Sequence, residues 1–147
     1  MTHGSSRRTV IGGLGAAMTA AALPAAALAQ GTPAADAAQV RVVFHVASPD
    51  HWDYALSNLD NLLKAAPDGA YQVVTDGTAV YVLAGANDIV AHLGRLSEAG
   101  VFIRVCPNAL AEHAIDVSEL PAWMNTELGG VLALVEANRA GYVYVKP

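Results

Sequence analysis

Cysteine is almost absent from this sequence: one residue, Cys106, in 147. A single thiol cannot close an internal disulfide, so no cross-link staples the fold. Charge is sparse too, at 14% of residues, and it leans acidic. The whole chain is formally −5; without Arg7 and Arg8 near its start, six basic residues face thirteen acidic ones, a net −7. That balance opposes binding to a phosphate backbone or an anionic membrane surface, and no nucleic-acid partner is expected. No glycine run follows a strand in the dinucleotide pattern, because Gly12-Gly13-Leu14-Gly15 belongs to the leader described next. A phosphate loop, a paired-cysteine redox motif and a nucleophile elbow are missing as well, and no cofactor is expected. What the chain does have is apolar residues, 54% of it, enough for one modest core.

The first segment reads as an export signal. Ser5-Ser6-Arg7-Arg8-Thr9-Val10-Ile11 supplies a charged start, a Gly/Ala-rich apolar run reaches Leu23, and Ala27-Leu28-Ala29 is a small-x-small cleavage site. Adjacent arginines after a serine, with apolar residues two and three places on, match the twin-arginine export signal. Gly12 stands where that signal usually has a basic residue, so ordinary secretion stays open. An uncleaved anchor is the competing reading, since Val10 to Ala29 could just reach across a bilayer. Its glycines, Pro24 and the cleavage motif oppose an anchor. The expectation is a cleaved signal over 1–29, a flexible mature N-terminus over 30–39 and one domain over 40–147. The product would be periplasmic, with no membrane attachment after cleavage.

Within the domain, Val40 to Val46 is β-branched and nearly continuously apolar, the pattern of a strand covered on both faces. Ser48-Pro49 then opens a helix whose Trp52, Ala55, Leu56, Leu59, Leu62, Leu63 and Ala66 share one face. Tyr71 to Thr75 is a second strand. Asp76-Gly77 after it reads either as a hairpin turn or as a loop leading to a short helical turn. Ile89 to Ala99 is predicted helical, Val101 to Val105 a buried strand, and Pro107 to His113 a short helix. A short strand at Trp123 to Thr126, a helix around Val131 to Ala137 and a last strand at Tyr142 to Val145 complete the pattern. Strands alternating with helices in this way call for a parallel sheet with helices on both faces.

Cys106 falls at the C-terminal end of one of those strands, where open α/β sheets place their ligand crevices. Pro107-Asn108-Ala109-Leu110 after it looks like a first helical turn, whose free N–H groups favour a thiolate, the nucleophilic form of cysteine. The competing reading is a small buried core residue. His45, near the end of the first strand, and His113, on the helix that Cys106 opens, are candidates to donate to the thiolate or to shuttle a proton. His51 and His92 look like exposed helix positions. A metal site built from Cys106, His45 and His113 lacks any recognised ligand spacing, and none is expected.

Three stretches carry a family likeness: Val73-Val74-Thr75-Asp76-Gly77; Ala99 through Val105, Cys106 and Pro107 to Leu110; and Gly129-Gly130-Val131 with Ala140 to Lys146. On these the domain resembles the DsrE/DsrF-like family of small sulfur-metabolism proteins. The resemblance implies an α/β, flavodoxin-like three-layer sandwich with a mainly parallel, about five-stranded sheet. It implies a homotrimer or hexamer, and a loop with a short helix after Gly77. It also implies a persulfide-bearing thiol at Cys106, beside a crevice of Asp76, Gly77, Pro107 and Asn108, served by a sulfur donor or acceptor protein.

The expected function is therefore a periplasmic sulfur carrier or sulfurtransferase-like protein. A non-catalytic small-ligand-binding or assembly module, and a thiol redox sensor passing through sulfenic acid or an intersubunit disulfide, are the alternatives.

Overall fold

Valine and phenylalanine crowd the first strand because both of its faces are covered. The structure, a computed structural model, describes residues 39–147, so the expected export signal and all but the last residue of the N-terminal segment lie outside the described residues. Strand β1 (Arg41–Val46) pairs in parallel with β2 (Ala70–Thr75) on one side and with β4 (Val143–Val145) on the other. Strand β3 (Phe102–Val105) extends the sheet beyond β2, giving the order β3-β2-β1-β4, all parallel. The fold is thus α/β, with four strands where about five were expected. The segment at Trp123 to Thr126 contributes only an isolated bridge between Asn125 and Arg104. Turns confine it to one paired residue: Met124 N–H bonds back to Pro121 O at 2.9 Å, and Glu127 N–H bonds to Asn125 Oδ1 at 3.4 Å.

Helices α1 (Trp52–Ala65) and α2 (Asp88–Glu98) cover one face of the sheet. Their apolar stripes, Trp52, Ala55, Leu56 and Leu59 with Val90, Leu93 and Leu96, join Phe44, Val46, Val73 and Ile103 in the main core. Asn87 caps α2, its side-chain oxygen accepting from Val90 N–H at 3.0 Å. The other face is thinner. Helix α4 (Gly130–Arg139) sets Ala133 and Ala137 on Val43 and Val74. Between β3 and α4 lie the short α3 (Pro107–Glu112) and a 3-10 turn at Val117–Glu119.

The ambiguous stretch after β2 is a 3-10 helix over Gly77–Val82, not a hairpin. Gly77 is required at its start. Its φ is +52°, and a Cβ there would stand 2.8 Å from the Ala47 carbonyl oxygen. The Trp123-Met124 region packs inward. Met124 is buried, and Trp123 packs on the core beside Gly94.

Trp52 ties the first helix to this 3-10 segment. Its side chain is fully buried, and its indole N–H donates to Ala79 O at 3.1 Å. Trp52→Phe removes that donor, costs the buried Ala79 carbonyl a side-chain partner and opens a small void. The expected loss is about 2 kcal/mol of unfolding free energy, read from the urea midpoint at unchanged slope.

Candidate functional site

Parallel pairing brings the residues that follow β2 and β3 to one edge of the sheet. Thr75 stands opposite Val105, and Cys106 N–H continues the ladder to Thr75 O at 2.8 Å. Asp76 N–H does the same to Val46 O at 3.2 Å. Asp76 and Cys106 therefore stand side by side at the C-terminal edge, where crevices of open α/β sheets form.

The start of α4 closes over them. A Cβ on Gly130 would lie 2.7 Å from Asp76 Oδ2, and one on Gly129 would lie 3.3 Å from Asn108 Nδ2. At Gly130 an added methyl group would have to displace the Asp76 carboxylate, and at Gly129 it would crowd the Asn108 amide. Between the two walls is a cavity of about 160 Å³, with Asp76, Cys106 and Asn108 on one side and the stretch from Gly129 to Leu132 on the other. A wider depression of about 600 Å³, lined by residues such as Val40, Ala66 and Asp68, contains no nucleophile.

Cys106 is 7% exposed. It takes the N-cap position of α3, and its carbonyl accepts from Leu110 N–H at 3.1 Å. Its thiol, however, makes no capping hydrogen bond. The expectation of a thiolate held by the first helical turn is therefore not met in this geometry; six residues of α3 position the sulfur without bonding it.

His45 does reach the site. It is the penultimate residue of β1, and its Nε2 lies 2.9 Å from Asp76 Oδ1. Its Nδ1 lies 2.8 Å from the Tyr144 hydroxyl. The register explains the second contact: Tyr144 pairs with Val43, so it is a diagonal neighbour of His45 on the same face of the sheet. Tyr144, His45 and Asp76 form a chain of polar contacts from the exposed edge strand to the cavity wall. Nothing in the residue pattern singled out Tyr144, because the pairing of the last strand with the first is not written in either strand.

His113 does not reach the site. It ends α3 and pairs instead with Tyr81, Nδ1 to hydroxyl at 3.0 Å with ring centroids 4.5 Å apart. Seven residues beyond Cys106 on so short a helix, it is carried away from the sulfur. Gly77 shapes the loop and Pro107 starts α3, but neither lines the cavity; Asp76 and Asn108 do. His92 is engaged by Asp60, with 3.0 Å between Nε2 and Oδ2, which links α2 to α1. Among the described residues no three His, Cys, Asp or Glu side chains gather as a metal site would need, and no helix is long and apolar enough to cross a membrane.

The fold has a solved counterpart. It is similar to the structure of the protein of unknown function MTH1491 from Methanobacterium thermoautotrophicum, with a TM-score of 0.69 and 25% sequence identity. The match covers 74% of this chain and 100% of that one. No protein-family model matches the chain, and a search of curated proteins finds no match. The counterpart supports the α/β parallel-sheet architecture and brings no activity with it.

The close approach of α4 makes its own prediction. Gly130→Ala drives a methyl group into the Asp76 carboxylate and displaces it from His45. The expected result is an altered His45 imidazole resonance in the NMR spectrum, with a stability loss of about 1–3 kcal/mol as for an overpacked contact. An unmoved resonance would show that the contact is loose.

Proposed function

We propose that this chain is a periplasmic sulfur carrier of the DsrE/DsrF-like kind, with a flavodoxin-like three-layer fold and Cys106 as the persulfide-bearing thiol. The observation that carries the reading is the placement of the only cysteine. It stands at the C-terminal edge of a parallel sheet, on the wall of a small cavity shared with a carboxylate that an imidazole holds. A volume of about 160 Å³ suits a few heavy atoms, the space of about five water molecules. That is room for the terminal sulfurs of a persulfide or polysulfide and not for a nucleotide.

The chemistry balances without an external oxidant. The Cys106 thiolate attacks the outer sulfur of a donor persulfide; the donor S–S bond breaks, a new S–S bond forms on Cys106, and the donor leaves as its own thiolate. Passing the sulfur to an acceptor thiolate reverses those roles. Export supports a sulfur role outside the cytoplasm, by way of the Arg7-Arg8 signal and cleavage after Ala29. The low exposure of Cys106 favours the second reading, a small-ligand-binding module in which the thiol is inert.

Intact-mass analysis of protein recovered from the periplasmic fraction tests the proposal. The expected species starts at Gln30 and gains one sulfur on Cys106 after exposure to polysulfide. Cys106→Ser is expected to keep the fold and lose the gain entirely. A wild-type chain that takes up no sulfur selects the binding module; sulfenic acid formed only with oxidant selects the redox sensor.

Assembly belongs to the same proposal. Val131 (70% exposed), Leu132 (60%) and Val135 on α4 continue into Val143 (62%) and Tyr144 on the edge strand β4. One thin helical layer leaves this apolar surface uncovered, and burying it between copies of the chain supports the homotrimer. Leu132→Glu is expected to lower the molar mass from trimer to monomer in light scattering while leaving the far-UV circular dichroism unchanged. A monomeric wild-type protein at micromolar concentration overturns this part.

A further inference from the structure

The cavity beside Cys106 carries a net negative charge unless His45 balances it. Asp76 is its one acidic wall; Asn108 is neutral, and α4 brings only Gly129, Gly130, Val131 and Leu132. Behind Asp76 stand His45 on β1 and Tyr144 on β4. The other charged pair on this face of the sheet, Arg104 with Glu136, is closed on itself at 3.2 Å. An anion at Cys106 therefore meets the Asp76 charge in a site that water screens poorly.

The contacts of His45 fit both of its charge states. When neutral, Nε2–H donates to Asp76 Oδ1, and Nδ1 accepts from the Tyr144 hydroxyl. When protonated, both nitrogens donate, and the same hydroxyl turns to accept. Tyr144 is a partner that can either give or take, so His45 changes charge without losing a hydrogen bond. Histidine is the side chain type whose charge changes near neutral pH.

We propose that the His45–Asp76 pair sets the charge of the Cys106 cavity and so selects anionic sulfur species such as hydrosulfide, polysulfide and persulfide. With His45 protonated the pair is neutral and the anion is admitted. With His45 neutral, the Asp76 carboxylate repels it. By linkage, an anion in the cavity favours the proton on His45 by the same factor. The identity of the anion rests on the sulfur-carrier reading; the charge control does not. His45 and Asp76 are here positioning groups for charge, and Cys106 remains the reacting atom.

Two alkylating reagents of similar size read this charge directly. Iodoacetate is anionic and iodoacetamide neutral, and both attack the Cys106 thiolate. The thiolate fraction therefore cancels in the ratio of their rate constants. For the wild-type protein the iodoacetate-to-iodoacetamide ratio is expected to be about tenfold higher with His45 protonated than with it neutral, and so to fall as pH rises. His45→Gln is expected to hold the ratio low at every pH, and adding Asp76→Asn to restore a high, pH-independent ratio. A purely structural role would give no such rescue. If His45→Gln fails to fold, Asp76→Asn alone decides, with an expected rise of about tenfold over the wild-type ratio at the alkaline end of the profile. A flat wild-type ratio, an unchanged ratio in Asp76→Asn, or a thiol that reacts with neither reagent until denatured overturns the proposal. A ratio that behaves as expected in a protein that takes up no sulfur upholds the charge control and removes the sulfur-carrier reading instead.

Discussion

The hydrogen bond from Cys106 N–H to Thr75 O, 2.8 Å long, is the constraint on which the site depends. It extends the parallel ladder between β2 and β3 one residue past the last regular pair, Thr75 with Val105. Parallel strands end at the same edge, so whatever follows one stands beside whatever follows the other. Asp76 and Cys106 are thirty residues apart in sequence and become neighbours for that reason. Slipping the register by one residue would send the side chains of β3 to the opposite faces and carry Cys106 out of line with Asp76. The site thus inherits its geometry from a sheet whose opposite face, under α1 and α2, is buried through Ile103, Val73 and Val105, and their packing penalises any such slip.

The two faces of the sheet divide the work. The face under α1 and α2 holds nearly all of the large buried side chains, Trp52, Leu59, Leu93 and Ile103 among them. The face under α4 rests on small residues, Ala133 and Ala137 against Val43 and Val74. Small contacts let α4 sit close to the sheet, and that closeness brings Gly129 and Gly130 down onto Asn108 and Asp76. The same economy leaves Val131, Leu132 and Val135 exposed among the described residues. A tight site and an apolar outer surface are two consequences of one thin layer.

Much of this architecture was legible because it rests on local pattern. The first strand and helix and the cysteine at the end of β3 each announce themselves within a few residues. The failures all involve distance. The segment at Asn125 has strand-like residues, but turns at Pro121 and after Asn125 restrict it to one bridge, and no local pattern weighs those turns against the pairing. His113 was a reasonable candidate by its nearness to Cys106 in sequence; helical geometry turned it toward Tyr81 instead. Tyr144 was invisible because its role depends on the parallel register of β4 with β1, strands 99 residues apart at that contact. His45 and Asp76 stand out singly in the sequence, and only the sheet joins them. The glycines before α4 belong to the family likeness, yet their physical meaning, room for a carboxylate and an amide, appears only once the helix is placed.

Burial and access are opposed demands on Cys106, and the glycine pair reconciles them. At 7% exposure the residue counts with the core, beside Leu110 and Val105. A cysteine enclosed on all sides by aliphatic groups would be inert, because a thiolate there loses its solvation and gains nothing in return. Here one side of the sulfur fronts a cavity with a carboxylate and an amide on its walls. Alanine at Gly129 and Gly130 would put two methyl groups at the positions now facing Asn108 and Asp76, and so into the cavity's own wall. What keeps this edge from closing into a packed core is therefore the absence of two carbon atoms, at the point where a helix crosses the ends of two strands.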